Sequence, residues 1–193
     1  MKKRSHIRRM LKVLLVIVIV LLVVLLVKVK ITEMLYPIKY LPEVQAAAET
    51  YDVEPALILA VIHSESQFDP KAVSSTGAQG LMQLMPETFK WIAKKRGLTI
   101  DPKTDIWEAD VNIDFGVWYL NWLEETYYHD NLPASLAAYN AGMQNVCKWI
   151  DDGVWDGTFE HYRQIPFKET RNYLGTVYKR YFVYIQRLND SKE

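Results

Sequence analysis

The 193-residue sequence contains a single cysteine, Cys147. One thiol cannot close an intramolecular disulfide, and its distance from the N-terminal apolar run speaks against a lipid-modified cysteine there. The four histidines, His6, His63, His129 and His161, stand at no metal-ligand spacing. The sequence has no HExxH, no GxSxG elbow and no phosphate-cradling glycine loop. Metal hydrolysis, serine-nucleophile hydrolysis and nucleotide chemistry are left without support, so no metal and no cofactor are expected. Acidic residues are missing from the first thirty positions, which hold 8 of the 23 Lys and Arg. Beyond residue 30, fifteen basic residues face 23 acidic ones, a net charge of −8. Such a domain is a poor match for nucleic acid, which demands basic patches. It would not be steered electrostatically to an anionic polymer either. Sustained period-two alternation is also absent, so the fold is expected to be mostly α, with at most a small β-hairpin.

What the chain does have is an uninterrupted apolar run, Val13 to Val27 (VLLVIVIVLLVVLLV). With Met10, Leu11 and Val29 it approaches the roughly 20 residues that cross a bilayer. Lys12 and Lys28 can snorkel from its two ends. Lys2, Lys3, Arg4, Arg8, Arg9 and Lys12 precede the run, and only Lys28, Lys30 and Lys39 follow closely. That bias predicts a single pass with the N-terminus in the cytoplasm and the rest outside the cell membrane. The following KVKITEMLYPIKY offers no small-x-small cleavage site, so an uncleaved signal-anchor is expected. The reading is a basic tail (1–12), a membrane helix (about 10–29), a connector (30–38) and one globular domain (39–193).

Within that domain, Glu43 to Tyr51 is Ala-rich and helix-prone. Pro55 suits a first helical position ahead of Ala56 to Glu65, and Pro86 opens a helix that Gly97 stops. Asp110–Tyr127, Pro133–Ala141 and Phe167–Leu188 complete the expected helices. Glu65 stands out. Ile58, Val61 and Ile62 lie seven, four and three residues before it, on one helix face. A carboxyl emerging beside apolar neighbours at a helix C-terminus is pushed toward its protonated form by desolvation and by the helix dipole. A carboxylic acid protonated near neutral pH suits general acid catalysis. The competing local reading is a helix-end glutamate that turns to water.

Four segments then combine: Glu65-Ser66, Gly80-Leu81-Met82-Gln83-Leu84-Met85-Pro86, Ala138-Tyr139-Asn140-Ala141-Gly142 and Glu169-Thr170-Arg171-Asn172-Tyr173. In this order the chain resembles the soluble-type lytic transglycosylases, on the goose-type lysozyme-like fold. The resemblance spans roughly Ile38 to Leu188. It implies cleavage of the β-1,4 bond between N-acetylmuramic acid and N-acetylglucosamine in peptidoglycan, closing a 1,6-anhydro ring, with Glu65 as single acid and base. It also implies that Gln83, Met85 and Tyr139 line the subsites around the cleaved bond. Asn140 and Tyr173 would shape the cleft, and Ser66 and Ser74 would meet substrate near the acid. Glu169 would hold the cleft floor. The implied partners are peptidoglycan glycan strands and, through the N-terminal helix, the cytoplasmic membrane; a cell-wall or secretion partner is left unidentified. Tyr119 is a further cleft candidate. The rivals are a hydrolase on the same fold, with Asp69 as second carboxylate, and a non-catalytic wall-binding scaffold that has no need of Glu65.

Overall fold

The computed structural model describes residues 2–129 and 131–190. Met1, Asp130 and 191–193, which include the outer ends of the expected tail and domain, lie outside the described residues. The chain divides into two compact units, the first ending at Ile38 and the second starting at Lys39.

The first unit is one helix, α1 (Lys2–Leu35). From Leu14 to Leu35 it is long and apolar enough to cross a membrane, with a mean hydropathy of 3.2 and no residue of that apolar stretch buried within the chain. The helix runs past the expected end at about residue 29, so most of the anticipated connector is helical. Thr32 Oγ1 donates to Lys28 O, and Lys30 pairs with Glu33 one turn on. These local contacts suit continued helix.

The second unit is a bundle of helices: α2 (Leu41–Tyr51), α3 (Pro55–Glu65), α4 (Pro86–Arg96), α5 (Ala109–Leu123), α6 (Leu132–Ala141), α7 (Met143–Asp151) and α8 (Lys168–Asp190). Among the described residues the only β features are isolated bridges, Val73 with Gln79 and Gln79 with Leu84. Pro55 and Pro86 each fall in the first turn of a helix, where a missing N–H costs nothing. Gly97 ends α4 in the left-handed conformation at φ 67°. Asn131 caps α6, its side-chain oxygen accepting from Ala134 N at 3.1 Å. The long helix expected to reach Tyr127 stops as α-helix at Leu123 and continues as a π-helical turn, Glu124–Tyr128. Helix α7 was not foreseen; its PHPPHHP-like pattern is short and follows directly on Gly142.

The core is built around α3. The expectation of one buried face was too modest, because every residue from Ala56 to His63 is buried. A helix apolar all round belongs inside a bundle. It lies against α8 and α2, while α5 packs on α2 and α6, and α6 on α7 and α8. Burying Leu57, Ile58, Leu59, Val61 and Ile62 contributes on the order of 10 kcal/mol before chain entropy is set against it. The result is a rigid rod that ends at Glu65.

Candidate active site

The end of α3 is fixed from several sides. Arg180 of α8 donates to the His63 carbonyl at 2.9 Å, and Tyr184 Oη lies 3.0 Å from His63 Nδ1. Burial, reinforced by the Arg180 charge, pushes the His63 pKa down to about 4, so this imidazole is neutral at pH 7. Ser66 closes the helix: its hydroxyl donates to Ile62 O at 3.1 Å and accepts from Phe68 N at 3.2 Å. Gln67 and Phe68 then take left-handed conformations, at φ 53° and 65°. The chain therefore turns sharply just past the acid.

Glu65 keeps some surface open but holds its carboxyl enclosed. Desolvation raises its pKa to about 7, a phenolic contact from Tyr173 pulls it down, and the Glu169 charge raises it. Tyr173 is 8 % exposed and its hydroxyl forms no complete hydrogen bond in the structure. It is a buried donor aimed at the acid's surroundings with capacity to spare. Tyr139 Oη donates to Met82 O at 2.9 Å and is near enough to Glu65 for their charges to interact. Glu65, Tyr139, Tyr173 and Glu169 thus come together from α3, α6 and α8.

The loop between α3 and α4 forms a shaped wall. Gln83 sits at φ 48°, strained for a non-glycine residue. Its Nε2 donates to Ala72 O at 3.0 Å and Gly80 O at 2.8 Å, locking the amide and leaving its oxygen available. Met85 is 42 % exposed at the entry to α4, whereas Met82 is fully buried. Of the two methionines, then, one is at the surface and one is core. Ser74 bonds within its own turn, to Thr76 Oγ1 and Ala78 N, both at 2.9 Å. Asn140 accepts from Thr170 Oγ1 at 2.8 Å and ties α6 to α8. Ser66, Ser74 and the Asn140 amide oxygen are therefore engaged in hydrogen bonds within the protein. Asp69, the expected rival carboxylate, is exposed and accepts from Lys71 N at 2.9 Å in a turn.

The residue that sequence reasoning missed is Asn112 on α5. It is 1 % exposed. Its Oδ1 accepts from Met82 N at 2.7 Å, and its Nδ2 donates to Ile106 O at 2.8 Å and Gln79 O at 3.2 Å. Gly80, at φ 79°, passes so close that a Cβ there would run into this amide. Nothing in the local sequence sets Asn112 apart from a surface asparagine; only the long-range contact reveals it. No group of three or more potential metal ligands occurs among the described residues.

The burial of Glu65 has a stability consequence. The folded state keeps the proton to about pH 7 while the unfolded chain loses it near 4.5. Between those values the folded state binds more protons, so stability falls as pH rises through the window. After allowing for screening at the open side, the loss is about 2 kcal/mol. Glu65→Gln is expected to raise stability by about that amount at pH 8 and to change little at pH 4. Urea unfolding at the two pH values measures it.

A helical bundle with one enclosed acid at the end of its central helix, facing a braced glycine-punctuated loop, is the architecture of the lysozyme-like transglycosylases. The family model for the transglycosylase SLT domain matches residues 42–161. The chain belongs to that family. It is 35 % identical over 162 residues to the membrane-bound lytic murein transglycosylase C of Haemophilus influenzae, covering 73 % of this chain and 45 % of that protein. Among solved structures, the lytic transglycosylase Slt of Pseudomonas aeruginosa, an inactive mutant, is 32 % identical with a TM-score of 0.72, over 80 % of this chain and 25 % of that one. The 70 kDa soluble lytic transglycosylase of Escherichia coli gives 27 % identity and a TM-score of 0.74, over 81 % and 26 %. The chain spans less than half the length of each of these relatives.

Proposed function

We propose that the domain is a peptidoglycan lytic transglycosylase with Glu65 as its only acid and base. The observation that carries the reading is a single carboxyl held near a pKa of about 7 at the end of the buried helix α3. A group so poised can give a proton and take one back at neutral pH. Glu65 donates its proton to the glycosidic oxygen as the C1–O bond breaks. The substrate's 2-acetamido group stabilises the positive charge at C1. The muramic acid C6 hydroxyl then bonds to C1, and its proton returns to Glu65. A 1,6-anhydro ring closes and no water is consumed. Ordinary paired-carboxylate hydrolysis would instead require a second carboxyl placed for water or for nucleophilic attack. Asp69 is engaged in its own turn.

Each remaining site residue has a role in this reading. Tyr173 supplies the unspent hydroxyl that meets the sugar beside the acid, and Glu169 adds a lesser upward push to the pKa that burial raises. Gln83 and Met85 present an amide oxygen and a soft apolar surface to the sugars on the loop side. Tyr139 flanks the cleaved bond. Ser66, Ser74 and Asn140 hold the wall in place rather than grip substrate.

Helix α1 would anchor the domain in the cytoplasmic membrane in a single pass, with the catalytic unit on the wall side. The basic residues ahead of its apolar span support that orientation. Mass spectrometry of peptidoglycan digested by the full chain tests the chemistry. Anhydromuropeptides, lighter by one water than their hydrolysed counterparts, are the expected product. Reducing-end muramic acid in their place would establish a hydrolase, and no turnover would favour a binding scaffold.

A further inference from the structure

Helix α8 brings two sets of groups to the end of α3. Tyr173 and Glu169, in its first two turns, act on the Glu65 carboxyl. Arg180 and Tyr184, seven and eleven residues beyond Tyr173, hold the residue two before the acid, through the His63 carbonyl and the His63 ring. Steps of seven and eleven keep Tyr173, Arg180 and Tyr184 on one face of the helix.

The chain on the other side of the acid is fixed to the same place. Phe68, three residues past Glu65, is 2 % exposed. Its ring lies 5.6 Å from that of His63 and 6.4 Å from that of Tyr184. His63 and Tyr184 meet edge-on at 5.9 Å, closing a triangle of rings. Glu65 thus sits in an arch, His63 to Phe68, with both feet on Tyr184. Gln67 and Phe68 stand at positive φ within that arch. Residues with a Cβ keep such a conformation where their surroundings over-determine it.

A further bond ties the same helices at the opposite end of α3, where Tyr181 Oη donates to Glu54 Oε2. It lies about 16 Å along the helix from the acid. Apolar burial holds α3 and α8 together, but it is non-directional. The bonds to His63 are directional, and they set where along α8 the acid comes to rest.

We propose that Arg180 and Tyr184 are positioning residues for the reaction, holding the Glu65 carboxyl, through His63 and Phe68, where Tyr173 and the glycosidic oxygen meet it. The inference rests on the glycan-cleaving reading above. Each residue acts through the acid and not on the sugar, so the chemical step depends on it and substrate binding does not. A misplacement of about 1 Å costs up to about a hundredfold in rate.

The test follows steady-state cleavage of soluble, uncross-linked glycan strands by the full chain in lipid nanodiscs, at a temperature where circular dichroism shows the variants folded. Tyr184→Phe removes one hydroxyl and keeps the ring. Arg180→Met removes the guanidinium and keeps an apolar stem. Each is expected to lower kcat by about tenfold or more, with KM unchanged within about twofold. Arg180→Lys can still donate to the His63 carbonyl and is expected to recover most of the loss. Tyr181→Phe cuts a bond between the same helices at the end away from the acid, and is expected to keep kcat within about twofold of the parent. If Arg180→Met fails to fold, Tyr184→Phe carries the test. A second readout needs no turnover. With ¹³C-labelled glutamate, the Glu65 carboxyl of Tyr184→Phe is expected to titrate about half a pH unit or more below the parent, because a carboxyl released from its enclosure regains water. Either an unchanged midpoint or an unchanged kcat overturns the proposal. So does a fall in kcat that Tyr181→Phe matches, which marks general loosening, or a rise in KM with kcat intact, which marks a role in binding. If the parent cleaves no glycan, the glycan-cleaving reading itself fails, and the midpoint alone decides whether the two residues hold the acid.

Discussion

Replacing Glu65 by glutamine is expected to reduce peptidoglycan cleavage by about a thousandfold or more while leaving the domain folded. General acid catalysis alone accounts for about 10² to 10⁴ in rate. In the proposed mechanism the same carboxyl would serve both as acid toward the leaving oxygen and as base toward the C6 hydroxyl, so both functions would go at once. Glutamine keeps the shape and can still accept or donate a hydrogen bond, but it transfers no proton. The stability prediction separates this loss from damage to the fold. The variant should be more stable than the parent at pH 8, because its amide avoids the cost of a charged carboxylate in an enclosed site. An inactive variant that gains stability is a catalytic lesion. A variant retaining more than about a tenth of the parent rate would remove Glu65 from the acid's role.

Asn112→Ala is expected to destabilise the domain by about 3 kcal/mol or more, although Asn112 does not touch the acid. The amide makes three bonds to backbone groups, and removal orphans the buried Met82 N–H and takes a donor from Ile106 O and Gln79 O. Each buried group left without a partner costs about 1–3 kcal/mol. The damage falls on the loop that carries Gln83 and Met85 and that receives the Tyr139 hydroxyl at Met82 O. Activity should therefore fall through a raised KM at temperatures where the variant is still folded. Thermal unfolding followed by circular dichroism, beside steady-state cleavage, measures both effects. A loss below about 1 kcal/mol would show that water readily replaces the amide.

Several parts of this architecture were legible in the sequence. Proline at 55 and 86 and glycine at 97 punctuate the chain where the helices begin and stop. The resemblance through the four motifs is matched by the family and the fold. Other parts were hidden, each for a physical reason. Burial of α3 on all sides follows from α8 and α2 closing over it, which periodicity within α3 cannot express. Polar residues inside the motifs look alike in sequence, yet Ser66, Ser74 and Asn140 turn their polar atoms inward to backbone or to Thr170. Asn112 works mainly through contacts to Gln79 and Met82, some thirty residues away. The π-helical turn came from no local signal, since Glu124–Tyr128 reads as ordinary helix, and it puts Tyr127 rather than Thr126 against Trp122.

The central claim is that burial at the end of α3 keeps one carboxyl protonated near neutral pH. It is tested most directly by titrating that carboxyl, with ¹³C-labelled glutamate in the full chain and Glu65→Gln as the subtraction. A side-chain carboxyl resonance lost in the variant and titrating near pH 7 is the predicted result. A resonance titrating near the ordinary glutamate value of about 4.3 would contradict the account.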